Sequence, residues 1–381
     1  MSNTIQFSKE ELERYSRHLI IPEFNIEGQR KLKQAKVLVV GAGGLGSPLL
    51  LYLTAAGVGT IGIVDFDLVD DSNLQRQVLY GTESVGLAKV EAARQRLLAL
   101  NPHIQINIHN TYLSSEKALD IIRDYDLVAD GTDNFPTRYL VNDACVILGI
   151  PNVYASIYRF DGQVSVFNYK YKDGTYGPNY RDLFPTPPPP GLVPSCAEGG
   201  VLGVLPGIIG SLQASEVIKV VTGIGEPLAG RLFLFDALDF STRTLKIRKN
   251  PNSKPIEKLV DYQALCGLKI KTQPSAVPEL SVEEFAEIQN LELAHQLIDV
   301  REPYEQKIVS IGGVLIPQAT VEEHLNQISR DKKVIIHCRS GKRSGDVVRL
   351  LKEKYGFDNV YNLKGGILEY AKKINQRLAV Y

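Results

Sequence analysis

At 381 residues the chain is longer than one hydrophobic core fills, so it reads as two domains. Lysine plus arginine and aspartate plus glutamate balance at 43 each, which excludes a chain drawn to nucleic acid or to a membrane surface by its overall field. Its four cysteines, Cys145, Cys196, Cys266 and Cys338, lack paired spacing, the pattern of a reducing, cytoplasmic compartment and not of a disulfide framework.

In chain order, Met1 to Arg17 carries Lys9, Glu10, Glu11 and Glu13 where a signal peptide would need an apolar stretch. From Lys36 short β-branched runs alternate with helical patterns: KVLVV, a helix, TIGIVD, a helix, HIQINIH, a helix, DLVAD. That alternation predicts a parallel sheet with helices on both faces. The helix around Lys89 turns Val90, Ala93, Leu97 and Leu100 to one side. After Asn152 the pattern changes to alternating strands such as GQVSVFNY, then to a Pro-, Gly- and Tyr-rich loop from Lys170 to Gly200, whose four prolines Pro187 to Pro190 forbid helix. The apolar run Gly200 to Val221 contains Pro206, Gln213, Ser215, Glu216 and Lys219 and reads as a buried helix, not a membrane span. Residues 1–265 form the first domain, 266–279 a linker, and 280–381 a second α/β module with a helix from Ser281, strands QLIDV, KVIIH and NVYNL, and helices between and after them.

Strand KVLVV runs into Gly41-Ala42-Gly43-Gly44-Leu45-Gly46, a GxGxxG turn that lets backbone N–H groups approach a phosphate at a helix start. Dinucleotide dehydrogenases share this turn and an acidic residue such as Asp65 at the end of the second strand, so the turn by itself leaves a nicotinamide-dependent oxidoreductase open. The continuation separates the two chemistries. Asp67, Ser72-Asn73-Leu74-Gln75-Arg76-Gln77, Lys89 and Asp130-Gly131-Thr132-Asp133-Asn134 follow. Arg76 and Lys89 can neutralise a triphosphate and Asp133 can hold magnesium, none of which hydride transfer needs.

With GAGGLGS, VDFD, SNLQRQ, GLAKVEAA and DGTDNFPTRYLVND in order, residues Glu10 to about Cys266 closely resemble the MoeB/ThiF family, bacterial relatives of ubiquitin-activating enzymes. The resemblance implies a Rossmann-like sheet extended by antiparallel strands, a homodimer, and ATP with magnesium contacted by Gly41, Gly43, Gly44, Gly46, Asp65, Ser72, Asn73, Leu74, Gln75, Arg76, Lys89, Asp133 and Asn134. It also implies that Arg17 reaches the phosphates of the neighbouring subunit. The implied partner is a small ubiquitin-like sulfur carrier (MoaD/ThiS-like) ending in Gly-Gly, as in molybdenum cofactor biosynthesis; carriers for thiamin, cysteine or transfer-RNA thiolation share that tail. Many members hold a structural zinc with two CxxC pairs. Here Asn179 and Asp182 stand at the first pair and Asn250-Pro251-Asn252-Ser253 at the second, so no zinc is expected.

Strand KVIIH ends at His337, and Cys338-Arg339-Ser340-Gly341-Lys342-Arg343-Ser344 leads into a helix expected from Arg343. Backbone N–H groups, a helix start and cationic neighbours there favour an anion on sulfur. Cysteine phosphatases place five residues between cysteine and arginine, whereas four separate Cys338 from Arg343, and the tighter loop favours a persulfide. With LIDVREPYEQ before it and NLKGGILEYA after it, the module resembles a rhodanese domain, which implies Cys338 as persulfide carrier and a cysteine desulfurase or thiosulfate as sulfur donor. Cys196 is a candidate second thiol, Cys145 looks like core, and Cys266 lies near the first domain's end. The expected activity is adenylation of the carrier's terminal carboxylate followed by sulfur transfer from Cys338; a scaffold that binds the carrier without activating it is the non-enzymatic alternative.

Overall fold

The chain divides into two compact units, residues 1–269 and 270–381, each with its own sheet. A computed structural model describes residues 6–189, 199–267 and 277–381; Cys196 lies outside these.

The sheet of the first unit has eight strands: β1 (Lys36–Val40), β2 (Thr60–Asp65), β3 (Gln105–Asn110), β4 (Leu127–Asp130), β5 (Asn152–Tyr158), β6 (Asp161–Phe167), β7 (Arg231–Asp236) and β8 (Thr242–Lys246). They lie in the order β3-β2-β1-β4-β5-β6-β7-β8, with β3 to β5 parallel and β5 to β8 antiparallel. Central strand β1 shows why its sequence is continuously apolar: Val37 and Val39 enter one core layer, Leu38 and Val40 the other. Helices Gly46–Ala56, Lys89–Leu100 and Leu205–Thr222 supply Leu49, Leu53, Val90, Leu97 and Val217 to the first layer. Helices Ala118–Ile122 and Phe135–Leu148 supply Ile122, Tyr139, Val141 and Cys145 to the second.

The apolar run after Gly200 becomes helical only at Leu205, because Pro206 fits the first turn, where no intrahelical donor is required, and nowhere further in. Part of the stretch expected as loop is ordered: Lys170 bridges Tyr176, and Tyr180–Leu183 forms a short helix capped by Asn179. At Asn179, Asp182, Asn250 and Ser253, hydrogen bonds join the two segments. The Asn179 side chain accepts from Arg181 N at 2.9 Å, and Asp182 accepts from Asn179 N and Asn250 N at 2.8 Å each, with Ser253 Oγ at 3.5 Å. Nearby, Arg181 forks onto buried Asp143 at 2.8 and 2.7 Å, and Tyr262 donates to the same carboxylate at 2.7 Å. These bonds fasten the end of the unit, where Cys266 is buried in the second layer.

The second unit is an all-parallel sheet of β9 (Glu279–Leu280), β10 (His295–Asp299), β11 (Val314–Leu315), β12 (Lys333–His337) and β13 (Val360–Leu363), in the order β11-β10-β12-β13-β9. Ser281 opens the helix Val282–Asn290 through a capping box with Glu284, as the sequence predicts. Alternation again sorts the strands: Ile298, Val334 and Ile336 pack on one side, Leu297, Ile335 and Leu363 on the other. No helix among the described residues is long and apolar enough to cross a membrane.

Candidate active site

In the first unit an open cleft of about 190 Å³ lies at the carboxyl ends of β1, β2 and β4, where the strand order reverses and parallel sheets bind ligands. Gly41, Gly43 and Gly44 form its floor. Gly41 has φ +94°, and a Cβ there would lie 3.1 Å from Gly131 O, so side chains are excluded and backbone is exposed toward the cleft. The carboxylate of Asp65 accepts from Ala42 N at 2.8 Å and Asp67 N at 2.9 Å, which fixes it beside the glycine turn. Burial pushes this carboxyl up, and the Lys89 ammonium works against that rise. Lys89, only 5% exposed, starts its helix and pairs with Asp67 at 2.9 Å. Arg76 and the exposed carboxylate of Asp133 complete the charged lining, while Phe66, Tyr112 and Leu113 make an apolar rim.

The sequence-expected residues therefore divide. Gly41, Gly43, Gly44, Asp65, Arg76, Lys89, Asp133 and Asn134 converge on the cleft. Asn134 also caps the helix Phe135–Leu148, accepting from Thr137 N at 3.0 Å. Gly46, Ser72, Asn73, Leu74 and Gln75 do not line the cleft. Gly46 is buried, and a Cβ there would fall 2.1 Å from Gly41 O, so its smallness lets helix and turn approach. Ser72 N and Asn73 Oδ1 bond to Asp70 in a local cap, at 2.9 and 3.3 Å, Leu74 packs on the core, and Gln75 is exposed. These four shape the turn that delivers Arg76, whose Nη1 donates to Ser72 O at 3.1 Å. Arg17 is exposed on the short helix Ser16–Leu19 and takes no part in the cleft of its own chain.

In the second unit Cys338 follows β12 and is 1% exposed, packed on the apolar layer beneath. Its Sγ accepts from Gly341 N at 3.2 Å and lies 3.3 Å from Ser344 Oγ, which is 2.7 Å from Asn362 Oδ1. Gly341, at φ +89°, turns the loop into the helix Lys342–Tyr355, one residue earlier than the sequence suggests. Arg343 forks onto Glu305 with two 2.6 Å bonds. Burial would raise the Glu305 carboxyl, but Arg343 holds it below its ordinary value. Beside the loop His337 is fully buried, with neither ring nitrogen hydrogen-bonded and Asp299 Oδ2 at 3.9 Å; burial brings its pKa down to about 4.

Comparison with known proteins places this geometry. A model of the ThiF family matches residues 15–256, and a rhodanese-like domain matches residues 281–373. The chain belongs to the ThiF family. This ThiF-family chain is 49% identical over 379 residues, 98% of its length and 96% of the relative's, to the probable adenylyltransferase/sulfurtransferase MoeZ of Mycobacterium tuberculosis. It is 57% identical over 271 residues, 70% of its own length and 100% of the relative's, to the sulfur carrier protein adenylyltransferase of Thermus thermophilus. It is also 40% identical over 396 residues, 99% and 87% of the two lengths, to adenylyltransferase and sulfurtransferase MOCS3 of Drosophila grimshawi. The crystal structure of E. coli MccB with MccA-N7isoASN shares the fold at TM-score 0.57 and 22% identity, covering 67% of this chain and 77% of that one.

Several residues of the two sites escape sequence reasoning. Arg138 is buried on the helix after Asn134 and donates to Thr132 O at 2.9 and 3.2 Å, while Thr132 bonds Asp130 through N at 3.0 Å and Oγ1 at 2.6 Å. These bonds set the turn that presents Asp133. An arginine inside the apolar stripe of a helix was the available signal. Glu305 had none, since it binds Arg343 across 38 residues of sequence.

Proposed function

We propose that the chain adenylates the C-terminal glycine carboxylate of a ubiquitin-like sulfur carrier and then transfers sulfur to it from Cys338. What carries the reading is the convergence of the half-buried glycine turn, Asp65, Arg76, Lys89 and Asp133 on one cleft. Fit to ATP follows from the cleft's chemistry. The backbone at Gly41 to Gly44 is bare of side chains, two cations stand nearby, and the apolar rim of Phe66, Tyr112 and Leu113 suits a base. Asp65, held by two backbone N–H groups, retains lone pairs to accept from ribose hydroxyls. Asp133 would hold magnesium, which when bound supplies further neutralisation of the triphosphate.

The carrier carboxylate attacks the α-phosphorus of ATP, pyrophosphate leaves, and an acyl adenylate remains. Arg76 and Lys89 stabilise the charge that develops on the phosphates, joined by Arg17 from the second subunit of a homodimer. A Cys338 persulfide, loaded by a cysteine desulfurase or by thiosulfate, attacks the acyl carbon, and AMP leaves as an acyl disulfide forms. A second thiol, for which Cys196 is the candidate, then attacks the sulfur on Cys338's side and frees the carrier thiocarboxylate. Free thiols of this kind belong in a reducing cytoplasm. Carrying both units on one chain raises the effective concentration of the persulfide near the adenylate.

Two activities test the proposal: ATP–pyrophosphate exchange with candidate Gly-Gly carriers, and thiosulfate-to-cyanide sulfur transfer. Carrier-stimulated exchange that survives Cys338→Ala, together with sulfur transfer that does not, is the expected pair. No stimulation by any carrier would sink the adenylation half; sulfur transfer undiminished in Cys338→Ala would sink the other.

A further inference from the structure

Two hydrogen bonds at the sulfur loop compete for one proton. The hydroxyl of Ser344, buried in the first turn of the helix Lys342–Tyr355, lies 3.3 Å from Cys338 Sγ and 2.7 Å from Asn362 Oδ1, in donor geometry to both. A hydroxyl carries a single hydrogen, so it serves one of these acceptors at a time. Charge at the sulfur decides which. An uncharged Sγ, in a thiol or bonded to a second sulfur, is a weak acceptor, and the shorter bond to the amide oxygen wins. A thiolate is a strong acceptor and draws the hydrogen to itself.

Asn362 is buried on the face of β13 that Val360 turns into the apolar layer beneath Cys338. An amide in such a place costs free energy unless it is hydrogen-bonded. Its Nδ2 faces Glu279 Oε1, 3.5 Å away on the neighbouring strand β9, and its backbone N donates to Pro278 O at 2.8 Å. The carboxylate settles which end of the amide meets the loop, because turning the amide over would set two oxygens against each other. The oxygen is the end offered to Ser344. Gly345 lets the helix close on this strand, since a Cβ there would already lie 3.4 Å from Asn362 Nδ2.

We propose that Ser344 is a catalytic residue of sulfur transfer and Asn362 its positioning residue: the hydroxyl rests on Asn362 Oδ1 and turns onto Cys338 Sγ as an electron pair returns to that sulfur. The inference rests on the reading of Cys338 as the sulfur carrier. Gly341 N, 3.2 Å from Sγ, is held by the backbone and donates whatever the charge on sulfur, whereas Ser344 responds to that charge. The turn of the hydroxyl breaks its 2.7 Å bond to Asn362, so that bond offsets part of the gain at sulfur. The amide restrains the step that the hydroxyl assists.

The test uses the full chain, with thiosulfate and cyanide as probes in single turnovers. The Cys338 thiolate attacks the outer sulfur of thiosulfate, the S–S bond breaks, and sulfite leaves with its electron pair. Cyanide carbon then attacks the sulfur carried on Cys338, thiocyanate forms, and the electron pair of the broken S–S bond returns to Sγ. Discharge is timed on the loaded protein by thiocyanate release, and mass spectrometry of the Cys338 peptide reads the load. Ser344→Ala should slow discharge about tenfold, the effect of one hydrogen bond to a charged sulfur. Asn362→Leu, similar in size but without an acceptor, should speed discharge about threefold, and in the Ser344→Ala background should change it less than about twofold. A role in packing alone would give slowing or no change for Asn362→Leu, and the same effect in either background. Unchanged discharge in Ser344→Ala, slowed or unchanged discharge in Asn362→Leu, or equal effects of Asn362→Leu in both backgrounds overturns the proposal. Should Asn362→Leu not fold, Asn362→Ala carries the same expectation and the same refutation. A wild type that takes no sulfur onto Cys338 from thiosulfate refutes the sulfur-carrier reading itself, whereas a loaded Cys338 whose discharge ignores both side chains refutes only the roles of Ser344 and Asn362.

Discussion

His337 should make the second unit lose stability on mild acidification. In the unfolded chain this imidazole titrates near its ordinary 6.5, whereas in the fold burial holds it to about 4. Between those values the unfolded state binds the proton and the folded state does not, so stability falls as pH drops through 6.5 and the loss levels off below about 4. Linkage with these two values gives a loss of roughly 2.5 kcal/mol between pH 7.5 and 4.5, a large share of a small domain's total. The chain has no tryptophan, so fluorescence offers little; hydrogen exchange read by mass spectrometry on β12 peptides reports the opening free energy of this unit directly. Glu305, whose carboxyl is held low by Arg343, adds a decline of its own near pH 4, and the comparison with His337→Phe removes that common part. Wild type should lose the stated amount by pH 4.5, and the variant should show a clearly flatter profile over pH 6.5–4.5. An equally steep profile in His337→Phe would refute the assignment of the acid response to this side chain.

In the cleft, Lys89→Ala or Asp133→Ala should cut carrier-stimulated pyrophosphate exchange by about 10²–10³-fold, because the first removes a cation offered to the phosphates and the second the carboxylate that would hold magnesium, and both should leave thiosulfate-to-cyanide transfer unchanged. Gly46→Ala should weaken exchange and destabilise the first unit by about 1–3 kcal/mol, since the new Cβ would meet Gly41 O at 2.1 Å; near-wild-type exchange and melting would contradict the close-approach role. Asp182→Ala removes the acceptor shared by Asn179 and Asn250 and should lower the Tm of the first unit by about 2–6 °C by calorimetry. Chelation followed by excess magnesium should leave exchange intact in the wild type; irreversible loss would mean that a tightly held metal supports the fold.

How much of this was legible in the sequence depends on the range of the interaction. Strands such as KVLVV and QLIDV, the glycine turn and the Ser281 capping box are short-range patterns with one physical solution, and they appear where the sequence puts them. Asp65 and Lys89 stand at a strand end and a helix start, and Arg76 and Asp133 in the loops after β2 and β4, all of which the sheet order gathers at one place. Ser72 to Gln75 lie outside the cleft lining for a local reason: a motif marks the loop that carries Arg76 without saying which of its side chains turn outward. Glu305, Arg138 and Asn362 were missed because their partners are fixed by packing. No spacing rule joins Ser344 to Asn362 across 18 residues.

The hydrogen-bonded clasp of Asn179, Asp182, Asn250 and Ser253 also bears on where sulfur can go. A zinc site built from four thiolates would place four soft nucleophiles on a protein that handles reactive sulfane sulfur, and amide and carboxylate oxygens cannot accept it. Of the other described thiols, Cys145 and Cys266 are buried, and burial pushes both up and keeps them protonated. Among the described residues, then, the surroundings discourage stray transfer, and under the role proposed for Cys338 a sulfur atom loaded there would be kept for the acyl group that comes to claim it.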